Sequence, residues 1–342
     1  MEDFRRQILF LCVLVGGFAP LATAQGNYTV TDLGTLSGSS SAKVAAINKS
    51  GQVVGTSADH AFLWSNGVLT DLGTLGGSVS TAYAINDLGQ VVGQASTASG
   101  EMHAFVWANG VMTDLGVPGE TSAAHGINSQ GVIVGMESAK NVRGGAAQWT
   151  NGQRQSIGDL GPSGSGSTAI CINDKGQSAG VSSGFATNQG VVRAVTWQNG
   201  VISDLGTLGG LHSTADGVNN QGAVVGWAEL SDQSTVAFLW QNGVMRNLGT
   251  LPKSAIQPGS GSQAAAVNGT GQVVGSSLNS SGQVRAVLWN NGKITDLNSV
   301  IPRTSGLILT RATGINDQGQ IVVEQQTDPN GPTRSFLLTP KH

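Results

Sequence analysis

Few side chains in this 342-residue sequence carry chemistry suited to catalysis or ionic recognition: Asp, Glu, Lys and Arg together make up 11% of it and aromatics 5%. Five stand out by their setting: Lys43, Tyr83, His125, Asp216 and Arg311. Each lies three or five residues before an Asn that opens a recurring Asn-x-x-Gly string, at places where other copies of the string carry Ala, Thr, Ile or Gln. Two cations, a phenol, an imidazole and a carboxylate drawn from equivalent positions suit recognition of a polar ligand. They also suit glycan cleavage, with Asp216, His125, Tyr83 and Arg311 as acid/base and charge-stabilising groups. Glycoside hydrolysis ordinarily uses two carboxylates at a set separation. Asp216 is the one acid on these inner positions, and Glu101, Glu120 and Glu137 are scattered in connections.

Other chemical-looking residues read as scaffold. An Asp-Leu-Gly string supplies a row of acids, Asp32, Asp71, Asp114, Asp159, Asp204 and Asp296, with Asn247 in the remaining copy. Recurrence in every unit points to a strand-end hydrogen bond. Asn-Asp-x-Gly at Asn86, Asn173 and Asn316 offers one or two oxygen ligands, short of the six to eight that calcium takes. His60 and His103 lack metal-ligand spacing. Cys171 sits in the apolar run Ala169-Ile170-Cys171-Ile172 with no partner base, as a buried small hydrophobe would. No metal and no cofactor is expected.

The elements that must position these groups are legible as a repeat. Ile47-Asn48-Lys49-Ser50-Gly51-Gln52-Val53-Val54-Gly55 returns around Asn86, Asn128, Asn173, Asn219, Asn268 and Asn316, seven copies spaced 38 to 49 residues apart. A second string, Ala61-Phe62-Leu63-Trp64-Ser65-Asn66-Gly67-Val68-Leu69-Thr70-Asp71-Leu72-Gly73, follows, and its Trp recurs at 107, 149, 197, 240 and 289. Short runs of Val, Ile, Phe, Trp and Thr bounded by Gly and Asn are strands. Asn-x-x-Gly predicts a type I turn with Gly in the left-handed region, and Asn-Gly predicts a tight hairpin. Each unit is then a four-stranded meander, and units of this length match propeller blades. The last unit, from Thr313 to Leu338, lacks its fourth strand. An orphan fourth strand, Tyr28-Thr29-Val30-Thr31-Asp32-Leu33-Gly34, opens the chain after its leader. The predicted fold is all-β: a seven-bladed β-propeller over residues 25–342, closed by the N-terminal strand completing the last blade.

In such a ring one face carries only the two tight turns of each blade. The opposite face carries the variable connections, such as Thr56–Asp59, Gln94–Met102 and Trp227–Thr235. Lys43, Tyr83, His125, Asp216 and Arg311 are predicted near the channel mouth on that variable face, flanked by small residues such as Ala46, Cys171 and Gly217 where seven strands crowd the axis.

His60-Ala61-Phe62 and His103-Ala104-Phe105, with Asp71-Leu72-Gly73-Thr74-Leu75-Gly76-Gly77 and Asp204-Leu205-Gly206-Thr207-Leu208-Gly209-Gly210, resemble the motifs of the bacterial extracellular repeat family named for His-Ala-Phe, the HAF repeats. The likeness covers nearly the whole chain after its leader. It departs at Gly145, Arg193, Val236, Arg285 and Arg334, which hold the histidine's place. The resemblance implies export and a repeat architecture, and no established activity.

Composition narrows the remaining classes. With 51 Gly but 39% apolar residues and a net charge of −3, the chain is neither disordered nor collagen-like, and it lacks the basic field of a nucleic-acid binder. Arg5 and Arg6, an apolar run from Ile8 to Val15 and Ala22-Thr23-Ala24 form a signal-peptide pattern over residues 1–24. The expected product is secreted or periplasmic, without a membrane span and monomeric. Its expected role is a non-enzymatic module binding a polysaccharide or an exported protein; the alternative is a glycan hydrolase or lyase. Mass spectrometry of the exported protein should find Gln25 as its first residue; a product retaining residues 1–24 would contradict the leader.

Overall fold

The computed structural model describes residues 26–139, 144–161, 166–183, 190–252, 261–326, 328 and 331–341; the leader read at 1–24 lies outside them. Seven four-stranded antiparallel sheets stand in a ring. β1 (Tyr28–Asp32) precedes blade 1, which is β2 (Ala42–Ile47), β3 (Val53–Ser57), β4 (His60–Ser65) and β5 (Val68–Asp71). Blade 2 is β6 (Gly76–Ile85), β7 (Val91–Thr97), β8 (Met102–Ala108) and β9 (Val111–Asp114). Blade 3 is β10 (Glu120–Ile127), β11 (Ile133–Ala139), β12 (Gly145–Thr150) and β13 (Gln153–Ser156). Blade 4 is β14 (Ser167–Ile172), β15 (Ser178–Ser183), β16 (Val192–Gln198) and β17 (Val201–Asp204). Blade 5 is β18 (Gly209–Val218), β19 (Val224–Leu230), β20 (Thr235–Gln241) and β21 (Val244–Asn247). Blade 6 is β22 (Ser262–Val267), β23 (Val273–Leu278), β24 (Val284–Asn290) and β25 (Lys293–Asp296). Blade 7 is β26 (Arg311–Ile315), β27 (Ile321–Gln325), β28 (Arg334–Pro340) and, on its outer edge, β1.

The closure is the one the half-units predict. Tyr28 pairs with Pro340 and Asp32 with Phe336, so the first strand occupies the fourth place of the last sheet. Strand two runs further than its Gln-Val-Val-Gly core, to Thr97 in blade 2 and Leu230 in blade 5. The Gly76-Gly77 and Gly209-Gly210 segments are strand starts rather than connections. Among the described residues there is no α-helix, and no helix long and apolar enough to cross a membrane.

The turns follow their chemistry. Asn66 (φ 49°) and Gly67 (φ 85°) both take positive φ, as do the other Asn-Gly pairs. That is the type I′ geometry whose twist matches paired strands. The Asn-x-x-Gly turn does more than turn the chain. Asn48 Oδ1 accepts from the N–H groups of Ser50 and Gln52 within its own turn, and its Nδ2 donates 3.1 Å to the carbonyl of Asn86 in the next blade. Asn86 donates to Asn128, Asn128 to Asn173, Asn173 to Asn219, Asn219 to Asn268 and Asn268 to Asn316. Asn316 returns the bond to Asn48 at 3.1 Å. All seven asparagines are buried, and the ring of side-chain bonds is closed.

Further rows join blade to blade. Ser80, Ser122, Ser167, Ser213 and Ser262 each accept, through a buried hydroxyl, from a strand-three N–H of the preceding blade. Apolar clusters fill the seams. Phe105 packs on Val54, Ala61 and Leu72 of blade 1, and Phe62 and Trp64 meet Val322 and Leu337 across the closing seam. Phe62, Phe105 and Phe238, the aromatic third of the Ala-Phe strings, are fully buried. Burial of each such ring stabilises by about 1.5–3 kcal/mol.

Replacing one ring member tests this arrangement. Asn219 has its side-chain bonds to Asn268, Gln221 and Ala223. Asn219→Ala should cost about 2–4 kcal/mol in urea unfolding, because buried backbone groups lose partners. Asn219→Asp should also destabilise, since it keeps the acceptor but removes the donor that crosses to blade 6. A loss within error for both would show that the ring does not hold the blades.

Candidate functional site

Each innermost strand carries a β-bulge at the same place. In blade 1, Val44 pairs with Gly55 and Ala46 with Val54, which leaves Ala45 without a partner. The same skip isolates Tyr83, His125, Ile170, Asp216, Ala265 and Thr313. A bulge re-aims the extra residue, and here all seven line one central cavity of about 1140 Å³. In blades 1 to 6 the glycine that ends the core of strand two makes room for the bulge, and blade 7 carries Val323 at that place. A Cβ on Gly55 would lie 2.0 Å from the carbonyl oxygen of Lys43. Small residues flank the bulge because the strands crowd: a Cβ on Gly126 would come within 3.0 Å of Cys171 Cα.

The structure brings all five sequence-predicted site residues, Lys43, Tyr83, His125, Asp216 and Arg311, to this one cavity. Tyr83 and His125 meet edge to face, ring centroids 5.0 Å apart. Tyr83 Oη donates to Gln94 Oε1 at 3.3 Å. Burial raises the Tyr83 phenol above its ordinary range. Burial lowers the His125 imidazole, against a weaker opposing bond at the Ala169 backbone, and His125 Nδ1 is buried without a hydrogen-bond partner.

Burial pushes the Asp216 carboxyl up to about 6, against the pull of the Thr214 hydroxyl at 3.2 Å and the charge of Arg311. Lys43 and Arg311 are exposed at the mouth on adjoining blades, and no ion pair within 4.0 Å engages either among the described residues.

A second carboxylate was not expected here. Glu324 sits directly across from Arg311 in the β26–β27 ladder and lines the same cavity. Burial raises its carboxyl, opposed by Arg311, by the Val44 N–H that donates to Oε1 at 3.1 Å, and by Lys43. It holds the place that Thr56, Val181, Trp227 and Ser276 hold on the same wall, but follows Val323 where those follow a glycine. Those residues read as loop starts in the sequence. Their signal was their variety at one fixed place, five residues past the Gly of Asn-x-x-Gly.

The remaining candidates are engaged elsewhere. Glu120 and Glu137 grip Arg154 at 2.6 and 2.5 Å. Glu101 accepts from Gly119 N–H and Ser99 and lies 3.8 Å from His103. Asp87, Asp174 and Asp317 accept from turn N–H groups of the neighbouring blade. Burial, with the Asp216 charge, pushes the Cys171 thiol well up, so it stays protonated and donates weakly to the Ala179 carbonyl.

The Asp-Leu-Gly acids bond the N–H two residues on, as Asp71 does to Gly73 at 2.8 Å. They also pair with the base in the His-Ala-Phe position: His60 with Asp71 at 2.8 Å, His103 with Asp114 at 2.9 Å, Arg193 with Asp204 at 3.9 Å and Arg334 with Asp32 at 2.5 Å. Where Val236 replaces the base, Asn247 replaces the acid. In blade 3 the register corrects the sequence alignment. Ser156, not Asp159, lies opposite Ala147 as Asp71 lies opposite Phe62, and its partner position holds Gly145.

These features define a seven-bladed β-propeller with a polar, irregular central cavity. The fold is shared with the propeller domain of the trilobed protease from Pyrococcus furiosus: TM-score 0.53, 9% identity, 88% of this chain and 94% of that one. It is shared also with the extracellular domain of BT4673 from B. thetaiotaomicron: TM-score 0.54, 10% identity, 92% of this chain and 40% of that one. No protein-family model and no curated protein matches the chain. At such identities the likeness concerns the fold alone.

The pH dependence of stability follows from Asp216. Its folded pKa lies above the unfolded carboxylate value of about 3.9. The folded protein therefore holds the proton to higher pH, and stability from this group is present below about pH 4 and lost as pH rises through about 6. Asp216→Asn should stabilise by on the order of 1 kcal/mol near pH 8 and leave stability unchanged near pH 4, read as urea midpoints. An equal effect at both pH values would refute this reading.

Proposed function

We propose that this chain is an exported, non-enzymatic binding module of the His-Ala-Phe repeat type, whose ligand, a glycan or an exported protein, is received at the channel mouth by Lys43, Tyr83, His125, Asp216 and Arg311. One observation carries the reading. Residues that break a sevenfold regular repeat meet in one cavity, Tyr83, His125 and Asp216 re-aimed there by bulges and Lys43 and Arg311 reaching it from paired positions. Packing does not require a Tyr in one blade and an Asp in another at the same bulge. A rigid scaffold that presents unlike side chains at one place is how binding sites are commonly built. Leader cleavage near Ala24 and the monomeric state belong to the same proposal.

A second reading rests on a specific observation: Asp216 and Glu324 are two carboxyls in one cavity, both raised by burial and both within the field of Arg311. A raised carboxyl is suited to general acid work. This is the glycan hydrolase or lyase alternative.

Screening the full chain on a glycan array and against exported proteins of its source separates the two. For a bound ligand, Tyr83→Ala and Arg311→Ala should each weaken affinity about tenfold or more, with melting temperature unchanged. Turnover that Asp216→Asn abolishes would replace the binding module with the enzyme. Ligand binding unchanged in both the Tyr83 and Arg311 variants would remove the channel mouth as the site.

A further inference from the structure

A second groove, of about 690 Å³, opens on the same face between blades 6 and 7. It is continuous with the central cavity, because Gln263, Ser276, Arg311 and Glu324 line both. Away from the axis its wall holds Arg285, Thr310, Val284 and Ile308, the last two with exposed apolar side chains. The Arg285 guanidinium is oriented by bonds to Gln283 Oε1 at 2.6 Å and to the Val284 carbonyl at 2.9 Å. It does not repeat the cross-strand pairing of Arg193 and Arg334. Asp296, the acid of that blade, is bonded to Asn298 instead. Blade 6 therefore directs its base to the groove where four other blades direct theirs to an aspartate.

Resting on the binding reading above, we infer that the groove is a second subsite of the same site, and that cavity and groove together take a linear acidic oligosaccharide. Its anionic groups lie along Lys43, Arg311 and Arg285, and one end is seated in the channel mouth.

Four observations select this ligand class. The combined space exceeds the roughly 300–1,000 Å³ of a single small-ligand pocket, and it runs from the central cavity out between blades 6 and 7. Three cations line it against Glu324 and Asp216, and Glu324 already accepts from the Val44 N–H. Arg forks suit planar carboxylates and sulfates. Amide and hydroxyl side chains such as Gln263, Ser276 and Thr310 suit sugar hydroxyls, and Trp227 offers a flat apolar face.

The test titrates the full chain with size-fractionated uronate and sulfated oligosaccharides, roughly two to eight sugars long, and with their carboxyl-reduced or desulfated counterparts. Affinity for one acidic series should rise about tenfold with length, then level off, and fall with added salt. Arg285→Ala should erase the gain with length while leaving the shortest oligomer bound as before; Arg285→Lys should restore part of it. Arg311→Ala should weaken short and long oligomers alike. The inference is overturned by length-independent binding, by equal binding of the neutral counterparts, by unchanged long-oligomer affinity in Arg285→Ala, or by no binding of either acidic series. Binding of a different ligand lost in Tyr83→Ala would then preserve the channel-mouth reading. Ligand binding insensitive to both Tyr83→Ala and Arg311→Ala would end that reading as well.

Discussion

The closed ring of asparagine amides governs this molecule. Each of the seven residues is held by its own turn, whose N–H groups it accepts, and by the next blade, whose turn carbonyl it reaches. The roles require one side chain with an acceptor and a donor on a stem short enough to stay inside a turn. Asn meets that requirement; Asp lacks the donor and Gln has an extra methylene. In blades 1, 2, 4, 6 and 7 the second amide hydrogen is taken by a Gln four residues on. The bond from Asn316 to Asn48 spans almost the whole sequence, so the ring completes only when the ends of the chain have met. Strand exchange at blade 7 and the amide ring close the same seam at two radii.

That constraint accounts for where the variable residues lie. Pinning seven turns around one axis packs the first strands side by side. Small residues are needed there, and each strand yields one residue to a bulge. The bulge residue has no ladder partner and lines the central cavity, so the scaffold admits unlike side chains there. A carboxyl can stand at Asp216 even though burial raises it to about 6, because the desolvation cost is small against a ring held by seven seams. The same economy appears at the rim. A base and an acid pair in blades 1, 2, 4 and 7 and are absent together in blades 3 and 5, while in blade 6 Arg285 and Asp296 are both present and each bonds other groups.

Several features were legible as written. The Asn-Gly hairpins, the left-handed Gly of Asn-x-x-Gly and the completion of the last blade by Tyr28–Asp32 all rest on local backbone preferences and a strand pattern that repeats. The convergence of Tyr83, His125 and Asp216 was readable because a departure from a repeat is visible without coordinates. Other features were not. Spacing from the Gly selected Asp159, while the strand register places Ser156 in the row; a hairpin fixes register by its turn, and Asn151-Gly152 counts to Ser156. Glu324 was hidden because the bulge aligns it with Arg311, and a bulge leaves no pattern of period two to count along.

By itself, the sequence determined the number of blades, the turn types, the closure and the set of residues free to vary, since each depends on short-range backbone chemistry repeated in the chain. Only the tertiary structure decided what those residues do to one another. The asparagine ring, the pairing of His60 with Asp71, the field of Arg311 on both Asp216 and Glu324, and the groove between blades 6 and 7 join atoms on different strands or blades. Their distances are set by the radius of the closed ring and the register of its strands, and neither quantity is local to any stretch of sequence.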